Sequence, residues 1–450
     1  MKKQGRHASS DHSATLRKQL LHGGVGSLSL KLASVLLGFI LAVLLARSLG
    51  PEQYGVYGFT LTLVTLIAIP AQVGLPHLLV RETAKAEVRS DWALMRGLWR
   101  WAARYVFISS LILLTFVGSI VFLFGHHLNE HRLQALIIAL PVIPLIALGN
   151  IRGAALRGLG RVFLGQLPEK VIRTAAMILF VGTLIAAGGE IGRTFSANSA
   201  LTLYVASAAL AFAVGAALLW ANRPEGVTHE TSARTKTAEW RRAVIPLALI
   251  SGVQVLNSNV DMLLLGMMRT DEEVGLYRVA VQLGTLVIFG LTAINMVLHP
   301  HISRLYQSGD HQALQRLVTL SSRIILLFAL PPVLVLVFLG GPVLTLLFGA
   351  DYQPAHVALA LLALGQLMNA GMGSVGALLN MTGHEQDTMH GMLIALTLNI
   401  VLNLALIPLL GIAGAALATA LTFATWNIIL WRMVRRRLGI KASAFEAWKT

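Results

Sequence analysis

The sequence predicts an all-α polytopic membrane protein of twelve transmembrane helices, arranged as two lobes of six. Three observations carry that expectation. Of 450 residues, 56% are hydrophobic and only 12% are charged, about half the charged share of a soluble domain. Twelve apolar stretches are long enough to cross hydrocarbon, which takes about 20 helical residues. A motif from the first stretches also returns in the second half of the chain.

Taken in order, residues 1–23 are polar and basic, and the apolar run behind them is too long for a signal-peptide core. They read as a cytoplasmic segment before an uncleaved first span. The first lobe, 24–220, holds spans near 24–46, 55–79, 104–125, 133–156, 163–187 and 199–220. Between them, residues 81–103 mix Arg89, Arg96 and Arg100 with Trp92, Trp99 and Trp101, the pattern of an amphipathic helix in the headgroup layer. Residues 221–243 are the longest polar connection and form a cytoplasmic linker. The second lobe, 244–434, holds spans near 244–267, 276–299, 319–348, 355–380, 389–410 and 412–431, and a basic cytoplasmic tail follows at 435–450. Pro331, Pro332 and Pro342 make the ninth span the least regular. Pro70, Pro76, Pro331 and Pro332 are candidate hinges.

Charge sets the orientation. The formal charge is +16, but cations collecting at the cytoplasmic ends of spans account for it without nucleic acid. With the N-terminus inside, 30 of the lysines and arginines fall on cytoplasmic segments, while Arg47, Arg132, Arg193, Arg269 and Arg278 fall outside. Both termini are therefore expected in the cytoplasm of a cell carrying the chain in its inner (plasma) membrane. There is no cysteine, which excludes disulfides, thiol catalysis and Cys-held metals. No Gly-Lys-Ser/Thr phosphate loop is present, and HEQDTMH at 384–390 is not the HExxH metalloprotease pattern. His126, His127 and His131 share a loop with one acid, Glu130, a poor metal set. No enzyme activity, cofactor or metal is expected.

Gly55-Val56-Tyr57 returns as Gly275-Leu276-Tyr277, and Gly153-Ala154-Ala155-Leu156 returns as Gly376-Ala377-Leu378-Leu379. Similar offsets at two places, with equal span counts per half, imply lobes related by a pseudo-two-fold axis along the membrane normal. The stretches LARSLGPEQYGVYGFT (45–60), VGLPHLLVRETA (73–84), NSNVDMLLLGMMRTDEEVGLYRVA (257–280) and GIAGAALATA (411–420) resemble the oligosaccharide flippases of the polysaccharide-synthesis group (Wzx-like). That group belongs to the MATE/MOP exporter superfamily, which also holds the multidrug MATE exporters and lipid II flippases. The resemblance implies a V-shaped pair of lobes around a central cavity that moves a polyprenyl-diphosphate-linked oligosaccharide across the membrane. It also implies extra C-terminal spans in the lipid II flippases, which twelve spans do not match.

The candidate site residues are charges and amides inside the spans. Ser27, Lys31, Ser34 and Gly38 form one helical stripe. Lys31 reads either as a cation facing a hydrated cavity or as a lysine snorkelling to headgroups. Ser251, Gln254, Ser258 and Asp261 make a second stripe beside Asn257. Asp261 reads as an ion-coupling site for Na+ or H+, as counter-charge to a cavity arginine, or as a structural ion pair with Arg278 or Arg47. Taking Arg47 and Arg269 as equivalent span ends puts Lys31 and Asp261 about 12 Å apart in depth, so they are not expected to pair. Arg47 and Arg278 at outer ends read either as lining the outward half of the path or as meeting headgroups, and Arg81, Arg157 and Arg173 at inner ends, where the positive-inside rule already accounts for them, are candidates for the diphosphate, which the planar guanidinium suits. Asn257 is a substrate-binding candidate; Asn150, Gln282, Asn295, Gln366, Asn369, Asn399 and Asn403 are candidates for sugar hydroxyls that read equally well as interhelical hydrogen bonds.

The expected function is a flippase for a lipid-linked oligosaccharide working by alternating access, with membrane lipids around it and polysaccharide polymerase and glycosyltransferases as partners. A MATE-type cation-coupled drug antiporter is the nearest alternative. A membrane glycosyl polymerase or ligase is the alternative of another class, and the short external loops speak against it.

Overall fold

The computed structural model describes residues 4–72, 74–124, 129–187, 195–229 and 232–444. Among them every regular element is helical. The first half comprises α1 (Gln4–Ile67), α2 (Ile69–Gln72), α3 (Leu75–Val88), α4 (Trp92–Phe124), α5 (Glu130–Ala139), α6 (Val142–Gly158), α7 (Val162–Leu167), a π-helical turn (Pro168–Ile172), α8 (Arg173–Ala186) and α9 (Ala197–Asn222). After a short α10 (Glu225–His229) come α11 (Thr237–Asn257), α12 (Val260–Met268), α13 (Asp271–Gln307), α14 (His311–Phe338) and α15 (Gly340–Phe348). A 3-10 turn (Ala350–Ala355), α16 (His356–Met372), α17 (Val375–Met381), α18 (Glu385–Leu410) and α19 (Ile412–Leu438) complete the chain.

Among the described residues nine helical segments are long and apolar enough to cross a membrane, or ten if α11 and α12, bent by 51°, count as one. The protein is thus a polytopic membrane protein, as expected. The first of these segments, Ser29–Gln72, runs for 44 residues, about twice the length that hydrocarbon requires. It is interrupted at Gly50, whose φ of 71° is left-handed, just before Pro51. Glycine takes that conformation without strain, and proline suits the first turn after it. Large apolar side chains such as Phe107, Leu111, Leu327 and Phe328 are exposed, a surface that lipid covers. Buried positions are instead rich in alanine and glycine, which lets helices approach closely.

In the first half α3, α4 and α9 all pack on α6; in the second, α13, α14 and α19 pack on α16. The halves meet chiefly along α1 and α13. There the two copies of the repeated motif touch. A Cβ on Gly55 would collide with the Asp271 carbonyl, and one on Gly275 with the Pro51 carbonyl. The same end carries Arg132, which is ion-paired to Asp271 at 2.8 Å and donates to the Gly266 carbonyl at 2.8 Å. At the opposite end α11 packs on α3.

Two local expectations are corrected. Residues 81–103 do not form one headgroup helix: Ser90 is left-handed (φ 51°), and Asp91 restarts the chain by accepting from the Leu94 N–H. The tryptophans turn inward, Trp99 donating to Thr83 and Trp101 meeting Trp240 at 5.2 Å. Pro331 and Pro332 sit inside an unbroken α14; the chain breaks at Leu339 instead, before α15. Beyond α19 the described residues pack back on the second half. Gln315 and Lys441 exchange two hydrogen bonds, and Ile440 and Ala442 are buried.

Replacing Gly55 by alanine forces α1 and α13 apart. We expect the purified protein in detergent to lose about 1–3 kcal/mol, the cost of an overpacked core. An unchanged thermal unfolding temperature would contradict the contact.

Candidate functional site

A polar cavity of about 340 Å³ is lined from both halves, and of the charged candidates it takes in Arg157. The chain breaks between α2 and α3, around Gly74, so Gln72 and His77 face the space instead of continuing a helix. From α6 come Asn150 and Arg157, seven residues apart and so on one face. From α11 come Ser251 and Gln254, the start of the polar stripe expected from the sequence. Asn150 donates to Gln72 at 2.8 Å, fixing both amides.

The stripe does not run on to Asp261. α11 stops at Asn257, and the chain bends before α12 begins. Asp261 instead sits in the first turn of α12, where it accepts from the Tyr277 hydroxyl (2.7 Å), the Thr419 hydroxyl (3.4 Å) and the Met262 N–H (2.8 Å). Neither Arg278 nor Arg47 pairs with it. These three donors satisfy the carboxyl oxygens and tie α12 to α13 and α19. Asn257 and Gln282 are half-buried, and their side chains make no hydrogen bond among the described residues.

The cations sort into two kinds. Some are committed. Arg47 donates to the Leu347 carbonyl at 2.8 Å and to the Leu346 carbonyl, capping the end of α15. Arg81 is half-exposed and pairs with Glu82 at 2.9 Å. Arg152, buried, pairs with Glu169 at 2.7 Å and donates to the Phe212 carbonyl. Arg173 donates to the Glu169 carbonyl at 3.2 Å and to the Tyr204 hydroxyl, with its guanidinium 4.9 Å from that ring.

Others keep an unneutralised charge. Lys31 and Arg157 both lie within electrostatic reach of Lys170, and none of the three has a carboxylate partner among the described residues. The π-helical turn causes this grouping: it places Lys170 on α8's approach to α1, while its neighbour Glu169 is spent on Arg152. π-turns often mark functional positions for this reason. Ser27, from the predicted Lys31 stripe, and the histidines 126 and 127 have side chains outside the described residues. Arg278 crosses from α13 to the first half, its guanidinium 5.3 Å from the Tyr54 ring and 5.4 Å from the Tyr57 ring. Tyr57 in turn meets Tyr204 edge-on at 6.4 Å. Aromatic faces hold a cation without cancelling it, so Arg278 remains available to an anion.

The structure therefore places Lys31 and Arg157 each near Lys170 and links Arg173 to Arg278 through Tyr57 and Tyr204, while Arg47, Arg81 and Asp261 are held by other partners. Lys170 and the tyrosines were not among the expected residues. Their sequence signal was a lysine inside the fifth apolar stretch and a Tyr54/Tyr57 pair one turn apart.

A family model described as polysaccharide biosynthesis protein matches residues 20–306, and the MatE model matches residues 246–405. The probable low-salt glycan biosynthesis flippase Agl15 of Haloferax volcanii is 22% identical, over 87% of this chain and 79% of that protein. The inward-facing conformation of a multidrug resistance MATE family transporter of the MOP superfamily matches with a TM-score of 0.71 at 16% identity, covering 89% of this chain and 94% of that one. Lipid II flippase MurJ in its inward closed conformation matches with a TM-score of 0.71 at 17% identity, covering 90% and 87%. At such identities the structural likeness establishes the fold.

The Arg152–Glu169 pair generates a stability prediction. Glu169→Gln strands a buried guanidinium and is expected to cost about 3 kcal/mol, whereas Arg152→Met with Glu169→Met recovers most of it. Chemical unfolding in detergent measures both; equal losses would contradict the pair's role.

Proposed function

We propose that this chain, which belongs to the polysaccharide biosynthesis protein family, is a flippase that moves a lipid-linked oligosaccharide across the membrane by alternating access. It is a transporter and not an enzyme. The carrying observation is the set of cations left without carboxylates, Lys31, Lys170, Arg157 and Arg278, on the elements that border the polar cavity and the contact between halves. A diphosphate entering between the halves would supply the missing anion, and the amides beside Arg157 would meet sugar hydroxyls. The name of Agl15, a glycan biosynthesis flippase, agrees with this substrate class. The drug-antiporter alternative needs a cavity that attracts cations, and the exposed charge here has the opposite sign.

Within this reading the chain has twelve spans. Two features support the number: Ser29–Gln72 is long enough for two spans broken at Gly50, and α7, the π-turn and α8 together cover the fifth expected stretch. The meeting of Gly55 with Gly275 supports two lobes related by an axis between them. The charge asymmetry supports placing both termini in the cytoplasm of a cell with this chain in its inner membrane. The Arg132–Asp271 end is then external and closed, and the cavity of Arg157 opens toward the interior, where the substrate is made. Arg47, which caps α15 across the external contact, acts as part of the closure. Arg81 lies at the cytoplasmic entrance and gives the diphosphate its first cation. Asp261, held by Tyr277 and Thr419, is the coupling site for H+ or Na+. Asn257 and Gln282, unpaired among the described residues, are free for sugar contacts once the lobes rock. Glycosyltransferases and a polymerase acting on the same glycan are the partners this function requires.

In cells whose surface glycan depends on this chain, Lys31→Ala with Arg157→Ala is expected to cut export at least about tenfold at normal protein level, and Asp261→Asn to slow it. Full export by the double variant would sink the cationic path; a silent Asp261→Asn would remove only the coupling role.

A further inference from the structure

The walls of the polar cavity are registered by backbone contact. Gly74, left-handed at φ 68°, lets α11 come so near that a Cβ there would stand 2.5 Å from the Ala248 nitrogen. One turn along α11, a Cβ on Gly252 would stand 3.6 Å from a methyl carbon of Ile69. These two contacts set the rotation of α11 about its own axis. Ser251 and Gln254 therefore line the same space as Gln72 and Asn150.

The polar groups differ in what they have left to give. A carboxamide carries two N–H donors and an oxygen that accepts twice. Asn150 donates one N–H to the Gln72 oxygen at 2.8 Å. That bond holds both amides still. It leaves the Asn150 oxygen and the Gln72 nitrogen without partners among the described residues, an acceptor and a donor on neighbouring groups. Ser251 donates its proton to the Leu247 carbonyl at 2.9 Å and keeps only its lone pairs. Gln254, three residues on and so on the same face, is exposed and has no side-chain partner among the described residues. The ionisable groups lining the cavity are Arg157 and His77, and no carboxylate joins them. Arg157 lies seven residues beyond Asn150, about 10 Å along α6.

This lining favours one class of occupant. An ammonium group finds no carboxylate, and an apolar molecule strands the amides. A sugar hydroxyl both donates and accepts, so two neighbouring hydroxyls match an acceptor beside a donor. Ile69 and Val255 add apolar surface for the C–H face of a ring.

We propose that Gln72, Asn150 and Gln254 are the specificity-determining residues of this cavity and select an uncharged sugar by two adjacent hydroxyls. One hydroxyl donates to the Asn150 oxygen, the other accepts from the Gln72 nitrogen, and Gln254 meets the ring from the second half. The selection rests on the flippase reading above and adds the residues that read its cargo. Arg157 holds the diphosphate two turns away, whichever sugar follows. Because the amide pair is fixed, a sugar lacking either hydroxyl leaves one of its groups unmet, and neither amide can turn to compensate. The Gln254 contact joins the two halves and is made and lost as they rock.

Native mass spectrometry of the full-length chain in detergent tests the selection. The probes are polyprenyl diphosphate, bare or carrying glucose, galactose, mannose or 2,3-dideoxyglucose. The best-bound hexose lipid is expected to exceed the bare and dideoxy lipids by about tenfold, the worth of two ordinary hydrogen bonds. In Asn150→Leu that preference should fall to near unity, and in Gln254→Leu it should fall several-fold. In Arg157→Ala all the lipids should weaken together with the preference kept. An Asn150→Leu protein that weakens every lipid alike and keeps the preference would show a pair that merely ties α2 to α6, and would overturn the assignment. Should that variant not fold, full preference in Gln254→Leu overturns it instead. A native chain that binds bare and sugar-bearing lipids equally overturns the selection and leaves the flippase reading standing, whereas a chain that binds none of them overturns that reading.

Discussion

The structure turns on one close approach: backbone against backbone where Gly55 on α1 meets the start of α13 and Gly275 meets Pro51. No side chain fits there, so both positions must be glycine. The approach brings Tyr54 and Tyr57 beneath Arg278 and sets Asp271 within reach of Arg132. It also lets the Tyr352 hydroxyl reach the Ala46 carbonyl at 2.9 Å. Without it the halves would share little more than the packing of α11 on α3. A close contact at one end and the polar cavity nearer the other suit a molecule whose halves rock about that contact.

Charge is distributed by a second constraint, the cost of an unpaired ion among apolar helices. Arg152, Arg173 and Arg47 meet it with carboxylate, hydroxyl and carbonyl partners, and they hold helices together. Lys31, Lys170, Arg157 and Arg278 are left with like charges or aromatic faces for company. Retaining such a set has a price in stability, which the transport of an anionic substrate proposed above would justify. The positive-inside rule locates arginines along the chain, but it does not separate these two kinds. Their partners lie dozens of residues away, on helices whose rotation is set by packing.

Much of the fold was readable from the chain. Hydrophobic length located most spans, and Leu49-Gly50-Pro51 announced the break that Gly50 makes. The repeat of Gly55-Val56-Tyr57 at Gly275-Leu276-Tyr277 pointed to the helices that meet. The site was less legible. A 3.6-residue stripe joined Ser251 and Gln254 to Asp261, and the bend after Asn257 divides it. Such a bend has no strong signal in LNSNVD (256–261), which contains neither proline nor glycine. The π-turn that offers Lys170 and spends Glu169 is likewise invisible to a helical wheel, because it changes the period. Tyr277 was recognised as part of the motif, but its bond to Asp261 depends on how α12 returns along α13.

The most direct test is translocation by the purified chain in sealed vesicles. A fluorescent polyprenyl-diphosphate oligosaccharide would be loaded in one leaflet and its appearance in the other scored with an impermeant lectin. The account predicts transfer by the native chain, and transfer slowed at least about tenfold when Lys31 and Arg157 are both alanine, as expected when charge-assisted contacts to a diphosphate are lost. No transfer by the native chain above protein-free vesicles, or equal transfer by the double variant, would contradict it.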